Sequence, residues 1–270
     1  MRRASSRQES VLGRAAGTAR RLACLAAAWG GAAALVGCGG SGQSVSASVA
    51  SVAGVAQISG ATLTHWMPIE AHIIYSEKPS APPPAGVMPD PPEYTACIAF
   101  LAKYLKQSEP SEVTGASALK RACEKQYREL KAITLNTLIG WYWIIGQGEA
   151  LGVKVTPTEV RERLTAVNKR LFATAADFEN YLRWTSETLS DMMFRSRVQL
   201  FESRIREKTL AEAKRASTIK SQKQKQEVLN RLSENLSPAQ HWVTKTTCSP
   251  GYVVSSCAEY KGSLPPGLPD

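Results

Sequence analysis

Six cysteines and three histidines carry most of the reactive chemistry available to this 270-residue chain, and their spacing decides what that chemistry is. Cys24 and Cys38 lie near the N-terminus, which leaves Cys97, Cys123, Cys248 and Cys257 as an even set in the body of the chain. A structural zinc site needs ligands in close pairs, such as two cysteines two residues apart, and no such pair exists. Of the pairings that four cysteines allow, the local one, Cys97 with Cys123 and Cys248 with Cys257, is the simplest, because each bond then brackets one short piece of chain. That use of cysteine points to an oxidising compartment. His65 and His72 are seven residues apart and so share a helical face, but the third histidine, His241, is remote, so they read as surface or core side chains and not as metal ligands. There is no Ser/His/Asp set, no phosphate-cradling glycine loop and no carboxylate pair distinguishable from solvated helix faces. The residues therefore point to no catalytic site, no metal and no cofactor.

The N-terminus has to be set aside before the fold is read. Arg2, Arg3, Arg7, Arg14, Arg20 and Arg21 precede an apolar run over residues 22–36, the arrangement of a secretory signal. The run ends in Leu35-Val36-Gly37-Cys38, which resembles the bacterial lipobox, so residues 1–37 are expected to be a lipoprotein signal peptide and Cys38 the acylated first residue of the mature chain. Residues 38–48, rich in Gly and Ser, would form a flexible tether. Removing the signal leaves 27 Lys and Arg against 22 Asp and Glu, a balance of +5. That is mildly basic and no nucleic-acid footprint.

The rest of the chain must be organised around residues 119–151. Leu119, Cys123, Tyr127, Leu130 and Thr134 recur at helical spacing; then Leu138, Ile139, Trp141, Tyr142, Trp143, Ile144 and Ile145 leave almost no polar face. The purely apolar part is shorter than the about 20 residues a membrane span needs, so the segment is expected to be the centre of a helical core. Ahead of it, residues 49–58 read as two short β pieces turning at Gly54. A helix from Gly60 carries Leu63, Trp66, Met67 and Ile73 inward, and Pro68 is expected to kink or break it after one or two turns. Residues 78–92 form a proline-rich surface loop or connector, and residues 93–107 a helix with Cys97, Phe100, Leu101, Tyr104 and Leu105 on one side. A Cys97–Cys123 bond would staple that helix to the central one, worth about 3 kcal/mol.

Beyond Gly152, Thr156-Pro157-Thr158-Glu159 is a capping box with proline at the first helical position, followed by the stripe Val160, Leu164, Val167, Leu171. Thr174 opens a short helix that buries Phe178, Tyr181 and Leu182. Thr185 or Ser186 caps a long one with the stripe Leu189, Met193, Leu200. Residues 195–231 hold eleven Lys and Arg against four Glu, so this stretch carries +7, and residues 211–227 are expected to be a solvated, projecting basic helix. Residues 241–260 close the chain, with Pro250-Gly251 turning between Cys248 and Cys257 and Tyr252-Val253-Val254 as an apolar plug; residues 261–270 form a disordered tail.

The β piece at Gly54, the helix containing Trp66, and the apolar helix that runs into Gly152-Val153-Lys154-Val155-Thr156-Pro157-Thr158-Glu159-Val160, with the helices after it, together resemble the N-terminal chaperone region of the SurA/PrsA foldases. The cysteine-bearing closing segment is similar to that of lipoprotein members from high-GC Gram-positive bacteria. The resemblance covers about residues 49–209 and 240–260. It implies a mainly α fold, a SurA/PrsA/trigger-factor-like helical chaperone domain over residues 49–260 with a minor β element and a disulfide-closed C-terminal segment. The parvulin-type prolyl isomerase domain of the full family has no room in residues 211–247, so the resemblance implies a non-enzymatic protein. The expected function is then a lipid-anchored chaperone on the extracytoplasmic face of the bacterial cell membrane, with unfolded or newly exported polypeptides as partners. Trp141, Trp143, Phe172, Trp184, Met192 and Met193 are its candidate client-binding residues. Pro68 and Trp184, where the family commonly has a Gln-Gly turn, depart from its pattern. The alternative reading is a structural or adaptor lipoprotein whose basic helix contacts anionic lipid or wall polymer, and a third is a residual peptidyl-prolyl cis-trans isomerase.

Overall fold

The computed structural model describes residues 47–75, 83–108 and 115–262. The expected signal and most of the tether, Cys38 included, residues 78–82 of the proline-rich loop and residues 263–270 of the tail lie outside the described residues. In chain order the elements are β1 (Ser48–Val52), β2 (Ala56–Ser59), α1 (Gly60–Tyr75), α2 (Thr95–Ser108), α3 (Ala116–Ala150), α4 (Pro157–Leu171), α5 (Ala175–Thr185), α6 (Leu189–Ala216), α7 (Gln222–Leu236), α8 (Ala239–Trp242) and β3 (Thr246–Cys248), with a 3-10 turn at Val243–Lys245. The fold is mainly helical, as expected.

The 35-residue α3 is the axis. One side of its apolar half meets α1 and the sheet in a core of Ile58, Leu63, Trp66, Ile69, Leu130, Leu135, Leu138 and Ile139, sealed by Trp242 and Val254. The other side meets α6 through Ile145, Val198 and Phe201. Gly146 and Gly148 make these approaches possible: a Cβ on Gly146 would lie 2.6 Å from the Trp242 ring, and one on Gly148 would overlap Phe201. The sheet is antiparallel in the order β2-β1-β3, with Gly54 turning the first hairpin at φ 74° and Ala50 opposite Cys248. The closing segment thus contributes a strand, whereas only β1 and β2 are expected from sequence.

Both disulfides form with the local pairing, Cys97 to Cys123 and Cys248 to Cys257. The first joins α2 to α3 inside a small cluster with Tyr94. The described end of the proline-rich stretch is docked: Val87 is buried, its carbonyl accepts from Gln126 Nε2 at 3.0 Å, and the Asp90 carboxylate accepts from the amides of Ala96 and Cys97, capping α2.

Five expectations are corrected. First, Pro68 does not break α1, which runs through it for 16 residues. Buried Met67, Ile69, Ala71 and His72 on either side hold the turn, and Thr64, whose carbonyl loses its partner, is exposed to water. Second, Ile73 points outward, because the inward face of α1 falls on Ile69 and His72. Third, Tyr104, Leu171 and Leu189 are exposed despite lying on apolar stripes. Fourth, the basic stretch is not one projecting helix: α6 stops at Ala216, turns through residues 217–221, and α7 packs back along α6. Fifth, the cap of α6 is Thr188, not Thr185 or Ser186; its hydroxyl accepts from Asp191 N while the Asp191 carboxylate accepts from Thr188 N.

Replacing Cys97 and Cys123 together by Ala should lower stability by about 3 kcal/mol. Amide exchange should accelerate throughout α2 while α1 and the C-terminal half of α3 stay protected. Undiminished protection of α2 in the double variant would show that apolar contacts alone hold it.

Candidate functional site

The short α4–α5 pair adds a second, smaller apolar cluster of Leu164, Phe172, Tyr181 and Met192 beside the main core. Capping boxes at Thr156 and Thr174 start the two helices, so the junction between them delivers Phe172 inward. Between this cluster, α1 and α6 lies a pocket of about 250 Å³ lined by His72, Ile73, Leu171, Phe172, Tyr181, Met192 and Arg195. Its volume is below the roughly 300–1,000 Å³ of drug-sized ligand sites and suits one inserted side chain. Phe172 and Met192 form the walls at 7% and 2% exposure, while Ile73 and Leu171 stand at the mouth, 50% and 42% exposed.

A polar network lies against these walls. Ser186 ends α5 in the left-handed conformation at φ 59°, and the next residue, Glu187, turns into the interior. Its Oε2 accepts from the Tyr181 hydroxyl at 2.6 Å, and its amide donates to Thr185 Oγ1. Oε1 sits 3.3 Å from Arg195 Nε, an ion pair, but the N–H is not aimed at it, so that oxygen lacks a hydrogen-bond donor among the described residues. Burial pushes the Glu187 carboxyl up, with Arg195 and the Tyr181 hydroxyl opposing, and burial followed by the Glu187 charge pushes the Tyr181 phenol up. Glu70, bonded to Thr137 of α3, is also raised by burial. One turn along, His65 Nε2 lies 2.8 Å from Asp191 Oδ2. Burial works to raise Asp191, but hydrogen bonds from Thr188 and His65 outweigh it and hold the carboxyl low.

The network fastens α1, α3, α5 and α6 to one another. Its carboxyls and phenol are turned inward, Tyr181 and Glu187 being almost wholly buried, which suits positioning the pocket walls. Cys248, Cys257 and Glu259 place ligand-type atoms close together, but both sulfurs are committed to the disulfide. His65 and His72 face different partners, Asp191 and the edge of the Tyr181 ring.

Of the six candidate client-binding residues, the structure brings Phe172 and Met192 into the pocket and packs Met193 against the same cluster. Trp184 is half-buried on α5, outside the pocket lining. Trp141 stacks edge-on with Trp66 and Phe194. Trp143 is a core residue, its indole N–H donating to Thr246 Oγ1 at 2.8 Å, and it offers no surface to a partner. Sequence reasoning missed His72, Glu187 and Arg195. The one local signal was Thr188-Leu189-Ser190-Asp191, a capping box that would have put Ser186 and Glu187 in a turn.

The signs of the shifts give a pH dependence. A carboxyl raised in the folded state binds its proton more tightly there than in the unfolded chain. Its contribution is therefore complete below the ordinary value of 4.5 and is lost as pH rises through the raised value. Urea unfolding should show stability declining over that interval, and Glu187→Gln should flatten the decline; an unchanged slope would exclude Glu187 as its source. Asp191 works in the other direction, its contribution fading as pH falls below 3.8. Tyr181→Phe should cost about 1–3 kcal/mol, because the buried Glu187 Oε2 loses its hydrogen-bond partner. A double-mutant cycle with Glu187→Gln should give a coupling of at least about 0.5 kcal/mol.

Compared with known proteins, the chain matches no protein-family model, no curated protein and no solved structure.

Proposed function

We propose that the protein is a lipid-anchored, extracytoplasmic chaperone-like protein that binds unfolded or newly exported polypeptides without catalysing a covalent step. The observation that carries this reading is the pocket between α1, the α4–α5 pair and α6: an apolar socket of one side chain's size, whose mouth leaves Ile73 and Leu171 in water. An exposed aliphatic rim around a Met- and Phe-walled socket suits transient capture of apolar side chains from an extended chain, since Met adapts its shape to varied partners. The polar network beneath would keep the socket open by holding the helices apart at fixed spacing.

Two further observations support the location. The disulfides fit an oxidising, extracytoplasmic compartment. No helix among the described residues is long and apolar enough to cross a membrane; the membrane link of this proposal is acylated Cys38, expected from the lipobox. The SurA/PrsA-like resemblance supplies the family context of the proposal, and the absence of a parvulin segment its non-enzymatic character.

Ile73→Asp with Leu171→Asp should reduce suppression of aggregation of a denatured client at least several-fold at a smaller stability cost than the wall substitutions, because both side chains are half exposed. Phe172→Ser and Met192→Ser should also lose activity, but with a stability cost of about 2–5 kcal/mol. Full activity in the double Asp variant would remove the socket as the client site. No acceleration of prolyl isomerisation is expected in either form.

A further inference from the structure

The cations of the α6–α7 hairpin fall into two groups. Along the first part of α6, Arg195, Arg197, Arg204 and Arg206 pair with Glu187, Glu149, Glu159 and Glu202, and Lys208 donates to the Leu151 carbonyl. The Arg204 contact, with the Thr156 amide and hydroxyl, holds the Glu159 carboxyl down at about 2. Arg197, Arg204 and Lys208 fasten α6 to α3, α4 and the turn between them, while Arg195 holds the turn before α6 and Arg206 pairs within α6. At the tip the pattern reverses. Residues 213–226 contain Lys214, Arg215, Lys220, Lys223 and Lys225 and no acid, and among the described residues none of these five enters an ion pair. Lys214, Arg215, Lys220 and Lys223 are exposed and Lys225 half-buried.

The five are not needed for the turn itself. The last carbonyls of α6, those of Lys214 and Arg215, accept from the hydroxyls of Ser217 and Thr218, and the Ser221 hydroxyl caps α7. Their placement also opposes the backbone. Helices α4, α5 and α6 each carry an acid in the first turn, Glu159, Asp177 and Asp191, matching the positive end of the helix dipole. The first turn of α7, like those of α1, α2 and α3, has none, and Lys223 and Lys225 add charge of the same sign there. A surface that only needs to stay soluble mixes its signs. Here positive charge is concentrated and left unneutralised at one end of a hairpin.

We propose that the tip of the α6–α7 hairpin is a docking surface for a bilayer carrying anionic phospholipid headgroups. Clustered lysines and arginines are drawn to such a surface by the summed negative potential of many phosphates, without a shaped pocket. The tip has no aromatic side chain on which a nucleobase could stack, Ile219 being the one large apolar residue of 213–226. This inference does not depend on client binding.

The test is sedimentation of the full chain with vesicles of phosphatidylcholine alone or mixed with phosphatidylglycerol, at low and high salt. Each cation near an anionic surface multiplies partitioning by about fivefold. Replacing Lys214, Arg215, Lys220, Lys223 and Lys225 by Gln should therefore weaken binding to the phosphatidylglycerol vesicles by at least about tenfold, and salt should erase the difference. Replacing the four lysines by Arg should preserve binding. A charge-matched control, with Gln at Lys103, Arg121, Arg128, Lys169 and Arg183, should stay close to the parent, and the N-terminal arginines common to every form cancel in the comparison. The proposal is overturned if the tip variant binds like the parent, if the control loses as much as the tip variant, or if the parent prefers poly-glutamate or duplex oligonucleotide and ignores phosphatidylglycerol.

Discussion

Between Leu138 and Ile145 the central helix has almost no face that water could take, and the rest of the fold follows from covering it. Each large aliphatic side chain removed from water contributes about 1.5–3 kcal/mol, so four flanks of apolar surface demand four partners: α1, the small sheet, α6 and the segment at Trp242. Burial also creates obligations. The indole N–H of Trp143 needs an acceptor and finds Thr246, whose own hydroxyl donates to the Trp242 carbonyl; Trp242 in turn donates to Gln147 of α3. The closing segment is therefore held on the core by hydrogen bonds that the core's own tryptophans require, as well as by its apolar area.

The α4–α5 pair is attached on different terms. Its cluster is small, and a buried ion pair with a tyrosine hydroxyl links it to α6, while the Tyr181 ring meets His72 of α1. Such networks fix orientation at little net gain in stability, because desolvation offsets most of the Coulomb attraction. A region that is strongly oriented and weakly cemented keeps a defined socket while remaining easier to open than the core, which is the combination a reversible binding surface requires.

Helix positions were legible in the sequence wherever local chemistry decides them. The Thr156 and Thr174 capping boxes, the apolar girth of α3 and the Gly54 turn all name their own conformations. Local rules failed where tertiary packing overrides them: Pro68 sits inside a helix that its buried neighbours hold together, and Ile73 loses the inward face to His72. The α6–α7 turn was hidden because Ser217, Thr218 and Ser221, which make it, are also ordinary residues of a solvated helix. The pocket was half visible. Phe172 and Met192 stand out as apolar residues at helix ends, but Arg195 meets His72 only through a long-range fold, which no local spacing records.

The first strand of the domain pairs with its last: Ala50 lies opposite Cys248, Ser249 N donates to the Val49 carbonyl, and the Ser249 hydroxyl reaches the Ser48 carbonyl across 201 residues. A polypeptide delivered from its N-terminus presents β1 first and waits for β3 until nearly everything else has arrived. Through that interval one edge of β1 and one flank of α3 stay uncovered, so the domain is itself an unfinished, apolar-faced chain for most of its own delivery. Closure is a terminal event, completed when Thr246 reaches Trp143 and the Cys248–Cys257 bond ties the last loop in place.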